Sequence, residues 1–373
     1  MLFRDVIGQS AVKQHLIEMV QQNTVAHAQL FLSQPGAGAL PLALAFTQYL
    51  VCENRQPDDS CGVCPACIKA QKLIHPDIHY TYPIIAKKPS PHPSLSVDYI
   101  QQWRKVITEQ PYINELDWLQ AIDAENKQGN ISAEEARSII RTMNLHPFEA
   151  PYKVQIIWKA EALSKEGNIL LKLLEEPPSN TVLILIAENQ EEILPTILSR
   201  CQLLKINKID DDAMAQALLR YGVPQSRTQH IAYISDGNFE EAQRLMHSET
   251  HEEVTLMTTW LDSALNFKPG LLYRWTEENG KMGRENLKSF LEYAVHLFRE
   301  ALMGKYVAGY QPRLAEDERQ LAVRLQRMLT YGKLEKILQL ISRKHYEIER
   351  NVSPKMVLMD MSLKMNRIMR TKD

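Results

Sequence analysis

The chain has 373 residues, of which 45% are hydrophobic and 24% are charged, a composition typical of a soluble globular protein with two or three domains. The formal net charge of -2 excludes a strongly basic protein that binds nucleic acid over its whole surface. No apolar run approaches the roughly 20 residues that span a bilayer, and the first residues lack the apolar core of a signal peptide. We therefore expect a cytoplasmic protein.

Near the start, an apolar strand (residues 29–32) leads through a glycine turn into a helical run. In a phosphate-binding loop at such a turn, a lysine holds the phosphates and a serine or threonine holds magnesium. Here the turn carries Gly36 and Gly38, and Ala39 and Leu40 occupy those two places. Backbone N–H groups alone could still cradle an anion. We predict a degenerate loop in which the glycines only make the turn, and we expect no useful ATP binding.

Four of the five cysteines are crowded into sixteen residues. They are Cys52, Cys61, Cys64 and Cys67, with the spacing C-x8-C-x2-C-x2-C. Four thiolates are the number that a closed tetrahedral zinc site requires, and the two-residue gaps let a tight turn aim neighbouring sulfurs at one ion. Free buried thiols or a redox pair are the alternatives. We predict a structural zinc, and we place His75, the nearest imidazole, on the surface and outside the ligand set.

Alternating strands and helices continue up to about residue 204. A proline-rich stretch at 88–93 predicts an exposed linker. A capping box at Ser132 opens a helix, and the apolar runs 154–158 and 182–186 predict parallel strands that are covered on both faces, with a helix over 164–176 between them. This alternation predicts a doubly wound α/β domain.

Two positions after the core strands bear on nucleotide chemistry. An ATP hydrolase carries an acidic pair at the end of a core strand, to hold magnesium and to activate water. This chain has Trp158 and Lys159 there, and neither side chain can perform that role. Arg200 follows the second core strand, and the pattern alone does not separate a functional arginine from an ordinary surface one. Cys201 next to it is more typical of a small buried residue than of a nucleophile.

Beyond residue 204 the pattern becomes helical to the end. Helices are predicted over 210–221 and 226–235, and another begins at Asn238. The methionine-rich stretch 356–369, after a capping serine and a proline, predicts a helix whose methionines pack in a core.

The ordered set of segments resembles the delta-prime subunits of bacterial DNA polymerase III clamp loaders, relatives of the tau/gamma motor subunits. The segments are residues 6–9 (VIGQ), the cysteine cluster, residues 170–178 (LLKLLEEPP) and residues 194–201 (LPTILSRC). The resemblance covers most of residues 3–205 and, more loosely, the remainder. It implies an α/β fold: an AAA+-type doubly wound parallel sheet domain with an inserted zinc module (1–204), a small helical lid (205–249) and an all-α collar (250–373).

The resemblance also implies a function. In that family the Ser-Arg-Cys motif, here Ser199, Arg200 and Cys201, donates an arginine finger to the ATP of the adjacent motor subunit. The missing loop lysine, together with Glu240 at the place of a second nucleotide-sensing arginine, favours a delta-prime subunit over tau/gamma. The implied partners are tau/gamma motor subunits and a delta subunit, and through the complex the sliding clamp and primed DNA.

Two other classes remain open at this stage. One is an active AAA+ ATPase motor of the tau/gamma type, and the missing lysine argues against it. The other is a stand-alone zinc-dependent DNA-binding protein. We expect no intrinsic ATPase activity, although the implied complex is part of a DNA polymerase holoenzyme. Residues 82–131, with Trp103 and Trp118, form a helical excursion that the compact members of the family lack, and the sequence assigns it no role.

Overall fold

A computed structural model describes residues 1–85, 94–124, 128–247, 250–265, 269–310, 312, 314, 316–350 and 352–370. The proline-rich stretch at 88–93 lies outside these residues. The chain divides into two compact units. The first contains Met1–Tyr221 and Ser235–Glu240, and the second contains Gly222–Ile234 and Glu241–Asp373.

Within the described residues, five parallel strands form one sheet in the first unit. They are β1 (Ala28–Ser33), β2 (Ile78–Thr81), β3 (Lys153–Trp158), β4 (Thr181–Ala187) and β5 (Gln202–Ile206). The strand order across the sheet is β2-β3-β4-β1-β5. Every residue of β3 and β4 is buried, which explains the continuous apolar runs and confirms the prediction of parallel strands.

Helices cover both faces of this sheet. In chain order they are α1 (Ser10–Gln21), α2 (Ala39–Val51), α3 (Pro65–Gln71), α4 (Ile100–Glu109), α5 (Glu115–Ala121), α6 (Ala133–Met143), α7 (Leu171–Glu175), α8 (Pro195–Leu198) and α9 (Asp211–Arg220). Side chains alternate between faces along a strand, so Ile156 belongs to a core cluster with residues of α1, α2 and α4, while Ile157 belongs to another cluster with residues of α6 and α7. The prediction of an α/β unit with a parallel sheet covered on both faces is confirmed.

The single helix predicted over 164–176 is wrong in its first half. Residues Ala160–Leu170 form 3-10 helix, and the α-helix α7 begins only at Leu171. Ser164 interrupts the 3-10 helix with a φ of +44°. A Cβ atom at Gly167 would lie 2.7 Å from Ile197 Cδ1, so the 3-10 helix packs closely against α8. Tertiary packing overrides the helical pattern here.

The part of the excursion that the structure describes is helical, as predicted. A short 3-10 turn (Ser96–Tyr99) leads into α4, and α5 follows. Trp103 and Trp118 are both fully buried, and the core cluster that contains them also contains residues of α1 and α2. The excursion is therefore part of the core of the first unit.

The second unit is helical in the residues that the structure describes. Its helices are α10 (Gln225–Ile234), α12 (Thr250–Leu265), α13 (Pro269–Asn279), α14 (Arg284–Tyr306), α15 (Glu316–Met328), α16 (Tyr331–Glu349) and α17 (Pro354–Arg370), and α11 (Phe239–His247) begins in the first unit. Met361 and Met365 are fully buried in its core, which confirms the packing role for this part of the methionine-rich stretch. No described helix has the length and apolarity needed to cross a membrane.

Candidate functional site

The glycine turn between β1 and α2 is a tight loop that only glycine can form. Gly36 and Gly38 have φ values of +67° and +92°, in the left-handed region. A Cβ at Gly36 would lie 1.8 Å from Asn238 Oδ1, and Phe239 donates its backbone N–H to the Gly36 carbonyl at 3.1 Å. The segment 235–240 thus lies directly on the loop.

The space where a loop of this kind would hold phosphates is filled by protein. Ala39 and Leu40 are buried, and Leu40 belongs to the apolar core. The cavity that remains beside the loop has a volume of about 20 Å³, enough for a single water molecule. Its lining includes Tyr112, Ile113, Trp158 and Glu240 as well as the loop itself. Small-molecule sites typically have volumes of about 300 Å³ or more, so this cavity is far smaller than a typical nucleotide site.

Trp158 and Lys159, at the end of β3, serve packing and charge pairing. The Trp158 ring lies 5.4 Å from the Trp103 ring and is 3% exposed. Lys159 has φ +55°, and its ammonium lies 2.5 Å from the Glu188 carboxylate at the end of β4. Burial opposes the charge of Lys159, but the attraction of Glu188 outweighs it and raises the lysine pKa above its ordinary value. Of the two positions that carry the acidic pair in a hydrolase, one therefore packs in the core and the other forms an ion pair within the chain.

A larger polar cavity of about 560 Å³ lies next to this pair. One lysine, Lys159, lines this cavity, together with four carboxylates, which belong to Glu115, Glu161, Glu188 and Glu192. Glu161 accepts hydrogen bonds from the backbone N–H groups of Glu188 and Asn189, and these bonds connect the 3-10 helix to the end of β4. The excess of negative charge disfavours a phosphate group in this cavity.

Arg200 and the glycine turn lie at opposite ends of the parallel strands. It precedes β5, and the register pairs Gln202 with Gln29 near the start of β1 and Ile206 with Ser33 at its end. Four residues of strand, at roughly 3.3 Å each, therefore separate the end of the strands that carries Arg200 from the end that carries the glycine turn by about 13 Å. The structure does not bring Arg200 to the loop of its own chain.

The Arg200 guanidinium is held in place by neighbours within the chain. Its Nε donates to Glu175 Oε1 at 2.7 Å, and its Nη1 donates to the Thr196 carbonyl at 2.9 Å and to Ser199 Oγ at 3.0 Å. A second contact joins Nη2 to Glu175. The side chain remains 32% exposed. Burial raises the pKa of the adjacent Cys201 thiol to about 11, so this thiol is neutral at pH 7 and a poor nucleophile.

The four clustered cysteines converge at the end of α2. Cys52 caps α2, and Cys64 and Cys67 lie at the start of α3. The sulfurs of Cys52, Cys61, Cys64 and Cys67 all lie within 4.8 Å of one another, and the Cys61 and Cys67 sulfurs are 3.9 Å apart. A tetrahedral zinc with Zn–S bonds of about 2.3 Å spaces its sulfurs roughly 3.8 Å apart. The backbone N–H groups of Cys61, Cys64 and Cys67 each point at a cysteine sulfur, which favours thiolates. The arrangement fits a metal ion.

The prediction that His75 lies on the surface is wrong. His75 is 3% exposed, and its Nδ1 accepts the backbone N–H of Asp77 at 3.1 Å. Asp77 in turn accepts the backbone N–H groups of residues 148–150. Burial opposes the charge of Asp77, but these donors outweigh it and hold its pKa below the ordinary 3.8. His75 and Asp77 thus anchor the loop before β3, and His75 lies outside the cysteine cluster.

Two residues of the site were missed in the sequence. Glu175 belongs to the segment LLKLLEEPP, but its pairing with Arg200 joins residues that are 25 positions apart. Tyr112 lies 74 positions beyond Gly38 and still packs against it. Local patterns carry no signal for either contact, because both depend on the folded sheet.

Comparisons with known proteins agree with the sequence motifs. The family described as "DNA polymerase III, delta subunit" matches residues 8–210. The Bacillus subtilis DNA polymerase III subunit tau is 28% identical over 251 residues, 65% of this chain and 37% of that protein. The subunit delta' of the same organism is 24% identical over 263 residues, 70% of this chain and 66% of that protein.

The chain thus spans between about a third and two thirds of the length of these two relatives. A solved structure of a DNA polymerase III gamma-subunit-related protein from Thermotoga maritima aligns with 96% of this chain and 99% of its own. Its sequence identity is 14% and its TM-score is 0.38. The family match alone covers more than half of the chain. The chain therefore belongs to the DNA polymerase III delta-subunit family of clamp-loader proteins.

Proposed function

We propose that the protein is the delta-prime-type subunit of a clamp loader, a stator without ATPase activity that supplies Arg200 to the ATP site of an adjacent motor subunit. Its partners are tau/gamma motor subunits and a delta subunit, and the assembly loads the sliding clamp on primed DNA. Residues 205–249 act as the lid, and residues 250–373 act as the collar that joins the subunits.

The position of Arg200 carries this proposal. A cation at the opposite end of the strands from its own glycine turn cannot contact a nucleotide in that turn. It is available to a neighbouring molecule. The guanidinium is partly exposed and already oriented by Glu175, Thr196 and Ser199. An exposed pair such as Arg200–Glu175 contributes only about 0.2–1 kcal/mol, so exchanging Glu175 for a phosphate costs little.

The filled glycine turn supports the stator role. Leu40, Trp158 and Tyr112 line the small cavity beside the turn, next to which a motor subunit would hold its nucleotide. The first unit then keeps the parallel-sheet fold of a motor subunit but lacks the side chains that bind and hydrolyse ATP. Zinc, held by the four clustered cysteines, fixes the module that begins at Cys52 and has no catalytic task, because four protein ligands leave no open position.

The test is DNA-stimulated ATP turnover and clamp loading by the assembled complex with Arg200→Ala. An arginine finger is typically worth about 10³-fold or more in rate at one site, so with several motor sites the loss should be partial. Arg200→Lys should rescue little, because an ammonium lacks the planar fork of donors. Arg141→Ala is the matched control, since Arg141 also forms an exposed ion pair within the chain, with Glu134.

Glu175→Gln separates the finger from a purely structural pair. If Arg200 only braces α7 against the 196–200 segment, Arg200→Ala and Glu175→Gln should behave alike. The finger role predicts that Glu175→Gln retains turnover and Arg200→Ala does not. Wild-type turnover by an assembled Arg200→Ala complex excludes the finger, and a failure of this variant to assemble assigns Arg200 to the interface.

A further inference from the structure

The excursion is anchored by a cluster of aromatic rings. Tyr82 stacks on Trp103 with ring centroids 4.1 Å apart, and Trp118 meets the Trp103 ring edge-on at 5.1 Å. The Trp118 indole N–H donates to the Pro83 carbonyl at 2.7 Å. Trp158, at the end of β3, packs against the same group. Such rings bury large areas, so this cluster fixes α4 and α5 beside the end of the sheet.

The connection between α4 and α5 carries Tyr112 to the glycine turn. The ring lies directly on Gly38, since a Cβ there would be 3.1 Å from Tyr112 Cε1. The phenol oxygen accepts the backbone N–H of Ile7 at 2.8 Å, and the ring meets that of Phe239 at 4.8 Å between centroids. One buried side chain therefore touches the N-terminal segment, the turn and the segment 235–240.

In a phosphate-binding loop, glycines let the backbone approach the phosphates closely. Here the close approach at Gly38 serves a phenol ring. We propose that the excursion is a built-in occupant of the former nucleotide site, and that Tyr112 is the positioning residue that joins residues 3–9, 34–40 and 235–240 in one permanent arrangement. This inference concerns the folded chain alone and does not depend on the clamp-loader role.

Hydrogen exchange of the full-length protein tests this inference. Tyr112→Ala removes all three contacts, and the proposal predicts that amides in residues 3–9, 34–40 and 235–240 exchange more than roughly tenfold faster. Amides of α3 and α14 should keep the wild-type rate. Ile107→Ala is the control, because it truncates an equally buried side chain of α4 that does not line the cavity beside the turn.

A uniform increase over all peptides, or an increase confined to residues 94–124, overturns the proposal. So does an Ile107→Ala profile that matches that of Tyr112→Ala. If Tyr112→Ala does not fold, Tyr112→Phe decides, because it keeps the ring and removes only the acceptor for Ile7. Exchange of the Ile7 amide should then rise about fivefold while residues 34–40 and 235–240 stay protected, and an unchanged Ile7 rate counts against the bridge.

Discussion

Restoring the two missing side chains of the glycine turn, with Ala39→Lys and Leu40→Thr together, should destabilise the protein and should not create an ATP site. Ala39 is 5% exposed and Leu40 is 4% exposed. The adjoining cavity of about 20 Å³ cannot take a lysine side chain. Overpacking typically costs about 1–3 kcal/mol, and loss of a buried leucine side chain costs roughly 2 kcal/mol more. The expected loss is therefore about 4 kcal/mol.

For a unit of this size, each kcal/mol lowers the melting temperature by about 2–4 °C, so the expected decrease is roughly 8–16 °C. Calorimetry gives the transition, and isothermal titration with magnesium-ATP gives binding. Ala39→Ser, which adds one oxygen and no charge, is the control and should change little. A double variant that melts with the wild type and binds magnesium-ATP at micromolar concentration would refute the view that the turn is filled.

The other predictions concern single groups. Elemental analysis should find about one zinc per chain, and the Cys64→Ser variant should lose metal and stability together. A zinc content below about a tenth of that value, in protein purified without chelator, would contradict the site. Cys201 should react with iodoacetamide as a thiol with a pKa of about 11, slowly at pH 8, in peptide mapping; fast labelling there would contradict its burial. Asp77→Asn should lose about 2 kcal/mol at pH 7. Because the pKa of Asp77 is lowered from 3.8 in the folded protein, this difference should shrink as the pH falls below that value, and a difference independent of pH would count against the charge.

Local patterns predicted the features that depend on local chemistry. Buried parallel strands need apolar residues on both faces, so β3 and β4 could be recognised from their continuous apolar runs. The four cysteines could be predicted to converge because their short spacing leaves few other arrangements. The helical character of the excursion followed in the same way from its sequence.

Features that depend on distant contacts were not predictable. His75 is buried because Asp77 and the loop before β3 enclose it, and its neighbours in the sequence, Ile74 and Pro76, carry no signal for that contact. The helical pattern over 164–176 failed in its first half, where Gly167 packs closely against Ile197 of α8, a contact that the local pattern does not encode. Tyr112 and Glu175 reach their partners across the fold. In each case the tertiary environment outweighs the local preference.

Helix α2 connects the glycine turn with the cysteine cluster. All thirteen of its residues are buried, so it has no solvent face, and it runs from Ala39 at the glycine turn to Val51, directly before Cys52. At about 1.5 Å per residue the helix is roughly 20 Å long. Packed neighbours on every side hold the helix in place along its length, so a change at the cysteine cluster would act on the near end of the helix and not on the turn. Removal of the metal should therefore loosen the last helical turn first and leave the glycine end in place.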